Sequence, residues 1–165
     1  MQQPHTIEYF QEFMPENVCY GCGLHNDQGL QIKSYWEGAE SVCHWTPQPH
    51  HHGWKGLLNG GIIATLIDCH CMCTAMAASY KEEGRGLGSL PEYRYATGTL
   101  NVKYLKPTPM KAALSLRAEV LEIKGRKTTM KCSFFAGEVC TAEAEVIAIR
   151  VFDSSKDTGG SPFGG

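Results

Sequence analysis

The chain is expected to fold as an α+β domain in which one antiparallel sheet of about six strands wraps around one long central helix. Two observations predict this. The segment from about Gly60 to Tyr80 carries Ile62, Ile63, Leu66, Ile67 and Met72 with few polar residues between them, and a helix that is apolar all round is a buried one. Beyond Gly88 the period changes from helical to twofold: Leu100, Val102 and Tyr104 alternate with Thr99, Asn101 and Lys103. Leu114, Leu116, Ala118 and Val120 repeat that alternation, as do Thr128, Met130, Cys132 and Phe134, which marks strands with one buried face. A sheet with one apolar face and a helix without a polar one cover each other.

Each element has its own signal. Ile7, Phe10, Phe13 and Met14 recur at helical spacing, so a short N-terminal helix, ended by Pro15, is expected to dock on the body. Residues 19–30 form a Gly-rich loop. Residues 31–36 and 41–45 read as a hairpin around Glu37-Gly38. A second loop at 47–56 leads into the helix, and residues 81–88 stop it. Four strands then follow as a meander, the last at 139–152, with turns at Pro107-Thr108-Pro109, Lys124-Gly125-Arg126 and Ala136-Gly137. Residues 1–152 therefore form a single domain, with 1–18 as an N-terminal docking segment. The Ser/Gly-rich residues 153–165 make a flexible tail.

Composition narrows the function. The 165 residues carry 15 Lys plus Arg against 17 Asp plus Glu, a net charge of -2, so no basic field points to nucleic acid or to an anionic membrane surface. Residues 1–13 lack the features of a signal peptide, and Asp68 and His70 interrupt the longest apolar stretch. The expectation is a soluble, cytoplasmic protein that acts on small molecules. Eight cysteines in such a setting are thiols. Cys69 and Cys73 share a helix face and Cys71 points elsewhere, as small packing residues do. No Gly-x-Ser-x-Gly elbow, P-loop or dinucleotide-binding glycine pattern occurs.

The candidate site lies on the helix. Gly60 and Gly61 open it, leaving its first N–H groups and the positive end of its dipole free to hold a carbonyl oxygen that gains charge. Asp68, set among apolar residues, is either a catalytic carboxylate or a structural acid capped by a hydroxyl such as Thr65. Eight residues of helix separate Gly60 from Asp68 by about 12 Å, too far for one carbonyl to touch both. If both serve one substrate, the site spans two copies of the chain. Residues 81–96, with Arg85 and Arg94, are a candidate lid. Cys19 and Cys22 with His50, His51 and His52 would suit zinc, but no second cysteine pair accompanies them. The favoured reading is a tight turn with packed thiols, no metal, and histidines in an exposed loop bordering the pocket.

This order of elements resembles the hotdog-fold acyl-CoA thioesterases, in particular the PaaI-like branch and the related mitochondrial enzymes of the thioesterase superfamily. The residues that carry it are Cys22-Gly23-Leu24-His25-Asn26 with Gly29-Leu30, Gly56-Leu57-Leu58-Asn59-Gly60-Gly61 with Asp68, residues 97–104 followed by Lys106-Pro107, and Gly125-Arg126-Lys127. The resemblance implies hydrolysis of an acyl-CoA or related thioester. Asp68 would act as general base or nucleophile, the Gly60 N–H would bind the carbonyl oxygen, Thr97 would orient water, and Gly61 would contact substrate. Lys103, Lys106, Arg126 and Lys127 would meet the phosphates of coenzyme A, or else form solvated turns. Coenzyme A is then part of the substrate, no separate cofactor is needed, and the assembly is a homodimer or a dimer of dimers. Asn59 stands where the family usually has His, which removes any proton transfer by that group. A catalytically weak acyl-CoA binding or sensing module on the same fold is the alternative.

Overall fold

The computed structural model describes residues 6–159. A short 3-10 helix at Phe10–Phe13 precedes β1 (Ser34–Glu37) and β2 (Glu40–Trp45). A 3-10 turn at Pro49–His51 leads to α1 (Gly60–Glu82), and β3 (Tyr93–Tyr104), β4 (Leu114–Lys124), β5 (Lys127–Ala136) and β6 (Val139–Asp153) follow. The strands form one antiparallel six-stranded sheet in the order β1-β2-β4-β5-β6-β3. It is the expected architecture, a sheet around one helix.

The expected meander is corrected in one place. β4, β5 and β6 do follow one another, but β3 pairs with β6 at the edge of the sheet and not with β4. Residues 105–113 do not turn back as a hairpin loop of about 2–5 residues would. They run against the loop before α1 instead: Leu58 N–H donates to Thr108 C=O at 2.8 Å and Met110 N–H to Gly56 C=O at 3.0 Å. The two prolines of this connection remove donors that a hairpin ladder would need.

α1 lies in the concave face of the sheet. Ile63, Leu66, Ile67, Cys71, Ala75 and Met76 are buried against Leu116 and Ala118 of β4, Met130 and Phe134 of β5, and Ala142, Val146 and Ala148 of β6. The alanines of β6 leave room for the helix to sit close to the strands. By length and composition α1 could cross a bilayer, but 67% of its most apolar window is buried inside the protein.

The N-terminal segment forms one 3-10 turn where a short helix was expected. Phe10 is fully buried, with its ring 5.2 Å from that of Trp36, while Ile7 stays exposed. Gln11 ties the segment to a buried polar chain. Its side chain donates to Ser34 Oγ and accepts from Ser34 N–H, and Ser34 Oγ meets His70 Nδ1 at 2.8 Å. Ser41 Oγ lies 3.1 Å from His70 Nε2 and 2.6 Å from Thr74 Oγ1. Every member is satisfied only while His70 is neutral, and burial lowers its pKa from 6.5 to about 4.

The sign of the stability effect follows. Between about 6.5 and about 4 the unfolded imidazole binds a proton that the folded one refuses, so stability is full above 6.5 and falls as pH drops. This one group should cost about 2 kcal/mol between pH 7 and pH 5. Urea midpoints at the two pH values check it, with His70→Gln expected to show a flatter dependence than the wild type.

At the other end, β6 continues through Asp153, which is buried and accepts hydrogen bonds from the Ser155 N–H and hydroxyl. Residues 160–165 of the expected tail lie outside the described residues.

Candidate active site

β3 brings the site together through a bulge. The register passes from Thr97 opposite Ala148 to Thr99 opposite Ile147, leaving Gly98 as the extra residue. A Cβ on Gly98 would lie 2.9 Å from the Ile149 side chain and 3.2 Å from the Ile147 carbonyl oxygen, so the position admits no larger residue without movement. An inserted residue flips the alternation of a strand. After the bulge Leu100, Val102 and Tyr104 face α1; before it Thr97 does.

Thr97 therefore reaches the helix, and its hydroxyl donates to Asp68 Oδ1 at 2.5 Å. Thr65, the other candidate partner, donates instead to the Gly61 carbonyl at 2.9 Å. Burial raises the Asp68 pKa above the usual carboxylate value; the Thr97 hydrogen bond opposes that rise, and Cys22 adds to it. The carboxylate and Thr97 stand in the wall of a cavity of about 460 Å³ that is also lined by Met14, Met72, Met76 and Tyr95. Methionine-rich walls adapt to flexible apolar ligands, and the volume is that of a small-molecule site.

The helix N-terminus departs from the expectation that its first N–H groups are all open. Asn59 is the N-cap, and its Oδ1 accepts from Gly61 N–H at 2.8 Å and from Ile62 N–H at 3.2 Å. The Gly61 N–H is thus committed to the cap. Gly60 N–H has no acceptor among the described residues, and Gly60 is exposed. Tyr104, whose place on the same face as Leu100 and Val102 was readable from the alternation, donates from its hydroxyl to the Gly60 carbonyl at 2.7 Å. It ties the open glycine to the sheet.

This gives Asn59 a role that needs no titration. Asn59→Ala should lower stability by about 1 kcal/mol, read from denaturant midpoints, and Asn59→His should change any turnover by less than about tenfold because the Gly60 donor is backbone.

The four basic candidates do not converge within one chain. Lys103 pairs with Glu143 across β3 and β6, whereas Lys127 pairs with Ile149. Six residues along β6 separate those levels, about 20 Å. Arg126 and Lys127 sit at the sheet end that carries Thr97, and Lys103 and Lys106 at the end that carries Gly60. All four are exposed.

The 81–96 connection is not a free lid. Arg85 stacks 4.2 Å from the Tyr80 ring and 5.0 Å from the Tyr93 ring, and it donates to Glu83 and Ser89, which pins the turn after α1. Arg94, paired with Glu92, does line the cavity.

The histidine run does not border the cavity. His51 is buried with its ring 5.0 Å from that of Trp45, and its Nδ1 accepts from Gln48 N–H, so it caps its own turn. Among the described residues, the group able to hold a soft metal is made of thiols: the sulfurs of Cys19, Cys22 and Cys69 lie within 4.8 Å of one another. Asp68 and this cluster share the cavity wall. Sequence reading grouped Cys19 and Cys22 but did not bring Cys69 to them, because that contact depends on how the 19–30 loop crosses the helix.

Comparison with known proteins agrees with this architecture. The family model described as Thioesterase superfamily matches residues 55–142. A thioesterase superfamily protein from Shewanella loihica PV-4 superposes with a TM-score of 0.59 at 32% identity, covering 73% of this chain and 91% of that one. The PaaI protein of E. coli superposes with a TM-score of 0.61 at 12% identity over 75% of this chain and 82% of its own, a likeness of fold. Acyl-coenzyme A thioesterase THEM4 of Rattus norvegicus is 27% identical over 130 residues, 78% of this chain and 50% of the relative. The chain spans about half the length of the curated relatives it matches. With a bulged edge strand that sets a threonine on a helix carboxylate, and with the family model covering the helix and most of the sheet, the chain belongs to the thioesterase superfamily.

Proposed function

We propose that the protein hydrolyses acyl-CoA thioesters to a free acid and a thiol. The observation that carries this reading is the Thr97–Asp68 hydrogen bond at the wall of an apolar cavity. An apolar acyl tail enters the cavity along Met14, Met72, Met76 and Tyr95, which places the thioester carbonyl beside Asp68. Asp68 takes a proton from a water held with Thr97, the water oxygen attacks the carbonyl carbon, and the C–S bond breaks to release the thiolate. Attack by the carboxylate itself, through an anhydride that water then cleaves, uses the same groups.

The Gly60 N–H is the free donor for the oxyanion, yet on its own helix it stands about 12 Å from Asp68. The active unit is therefore a homodimer, in which Gly60 of one copy faces Asp68 of the other. The edge position of β3 supports this, because one side of the strand has no partner among the described residues. Lys103 and Lys106 of one copy would then approach the sheet end that carries Arg126 and Lys127 of the other, forming one basic rim for the coenzyme A phosphates. Names of relatives support the substrate class, THEM4 being an acyl-coenzyme A thioesterase.

Free-thiol release across short, long and aromatic acyl-CoAs tests the reading. Turnover of at least one class, falling on the acid side of the raised Asp68 pKa, is expected. Binding of all three classes by calorimetry without release of thiol would replace hydrolysis with a binding or sensing role.

A further inference from the structure

We propose that Cys19, Cys22, Cys69 and Cys73 form a binding site for a zinc ion, in the wall of the cavity that holds Asp68. Three donors are brought together by the fold, Cys19 and Cys22 from the loop over the helix and Cys69 from α1. Three of the sulfurs lie within 4.8 Å of one another, and Cys19 Sγ is 3.6 Å from Cys69 Sγ. Four thiolates about 2.3 Å from one zinc ion stand about 3.8 Å apart, so this spacing already approaches that of a bound ion. Cys73, one turn beyond Cys69 on the same helix face, lines the same cavity and would supply the fourth thiolate.

The loop is shaped to bring the sulfurs together. A Cβ on Gly21 would fall 2.2 Å from Cys69 Sγ, and one on Gly23 would fall 2.7 Å from the carbonyl oxygens of Asn17 and Cys19. Glycine at both positions lets the turn press its thiols onto the helix. Two N–H donors already point at sulfur: Gly21 N–H toward Cys19 at 3.4 Å, and the Asn17 side-chain amide toward Cys22 at 3.1 Å. Such bonds stabilise thiolates and orient metal ligands.

All four residues line the cavity, and Cys19 reaches the surface, which gives the ion a way in. The sequence offers no second closely spaced cysteine pair beside Cys19 and Cys22; the helix brings Cys69 to them. Binding displaces the thiol protons and leaves the oxidation state of sulfur unchanged. The ion would staple the 19–30 loop to α1 beside Asp68. This role is independent of hydrolysis, so the two readings succeed or fail separately.

The full chain, purified under reducing conditions and stripped with a chelator, is titrated with Zn²⁺ against a chromophoric competitor, and with Co²⁺ for its thiolate charge-transfer absorption. One ion per chain is expected, with affinity reduced at least ~100-fold in Cys22→Ser and unchanged in Cys140→Ser, whose thiol lies on β6 away from the cluster. Should Cys22→Ser fail to fold, Cys19→Ser at the surface replaces it. Zn²⁺ should also slow alkylation of Cys19 in the native protein by at least ~10-fold, as mapped by mass spectrometry. Binding well below one equivalent, a folded variant that keeps full affinity, or alkylation indifferent to Zn²⁺ would each overturn the site and leave the thiols as packing residues.

Discussion

Asp68→Asn is expected to lower thioester turnover by at least ~100-fold while the fold persists. The amide keeps the shape of the carboxylate and can still accept from the Thr97 hydroxyl, which now donates at 2.5 Å. What disappears is the group that removes a proton or attacks carbon. Stability should not fall with activity. The Asp68 pKa is raised by burial, so the folded state favours the neutral form: its stabilising contribution is present at low pH and is lost as pH rises through the folded pKa. At neutral pH the charge is a cost that asparagine does not carry. Equal or higher thermal midpoints, together with the loss of turnover, are the expected pair of results. Near-wild-type hydrolysis by a folded Asp68→Asn protein would remove Asp68 from the mechanism.

Gly60→Pro is expected to cost about 10²–10³-fold in turnover by deleting one hydrogen. The position tolerates proline. Gly60 is the first residue of α1, where the N–H has no acceptor among the described residues and proline is favoured. Asn59 before it is extended, at φ −62° and ψ 131°, as a residue preceding proline prefers. A Cβ at residue 60 would make ordinary contact with the Tyr104 ring at 3.5 Å. The variant should therefore fold and dimerise while losing the oxyanion donor. Mixing it in equal amounts with Asp68→Asn, after subunit exchange, should restore about a quarter of wild-type activity. Half of the dimers are then mixed, and each has one intact site of two. No recovery in a mixture shown to exchange subunits would place both groups in one chain's site and refute the shared arrangement.

The helix and the strands were readable because burial imposes periodicity. A largely apolar segment such as 62–67 has nowhere to go but the interior, and strands such as 114–118 and 128–134 announce their inner faces residue by residue. Strand order was not readable, since periodicity says which face is buried and nothing about which edge is paired. The length of the 105–113 connection held the clue that β3 does not turn back on β4. In the site, Asp68 stood out as a carboxylate in apolar surroundings. Thr97 did not, because alternation carried back from Leu100 puts it on the outer face, and only the extra residue at Gly98 reverses that. Asn59 was weighed as a lost histidine, while its work as an N-cap depended on backbone angles that composition does not record. The thiol cluster joins residues fifty positions apart, a separation no local pattern spans.

The bulge at Gly98 also divides β3 into two independently addressable lengths. Upstream, between the register shift at Arg94/Tyr95 and the bulge, Tyr95 and Thr97 line the cavity; downstream, even-numbered positions such as Leu100, Val102 and Tyr104 look toward the start of α1. An engineer can re-line the acyl cavity at Tyr95 without disturbing the anchor that Tyr104 gives Gly60, and can retune that anchor without touching Thr97. Deleting the single codon for Gly98 would do neither job cleanly: it would put one of the two lengths out of phase and turn its inward side chains to solvent. Libraries built on this scaffold should vary residues on either side of position 98 and hold the length of the strand constant.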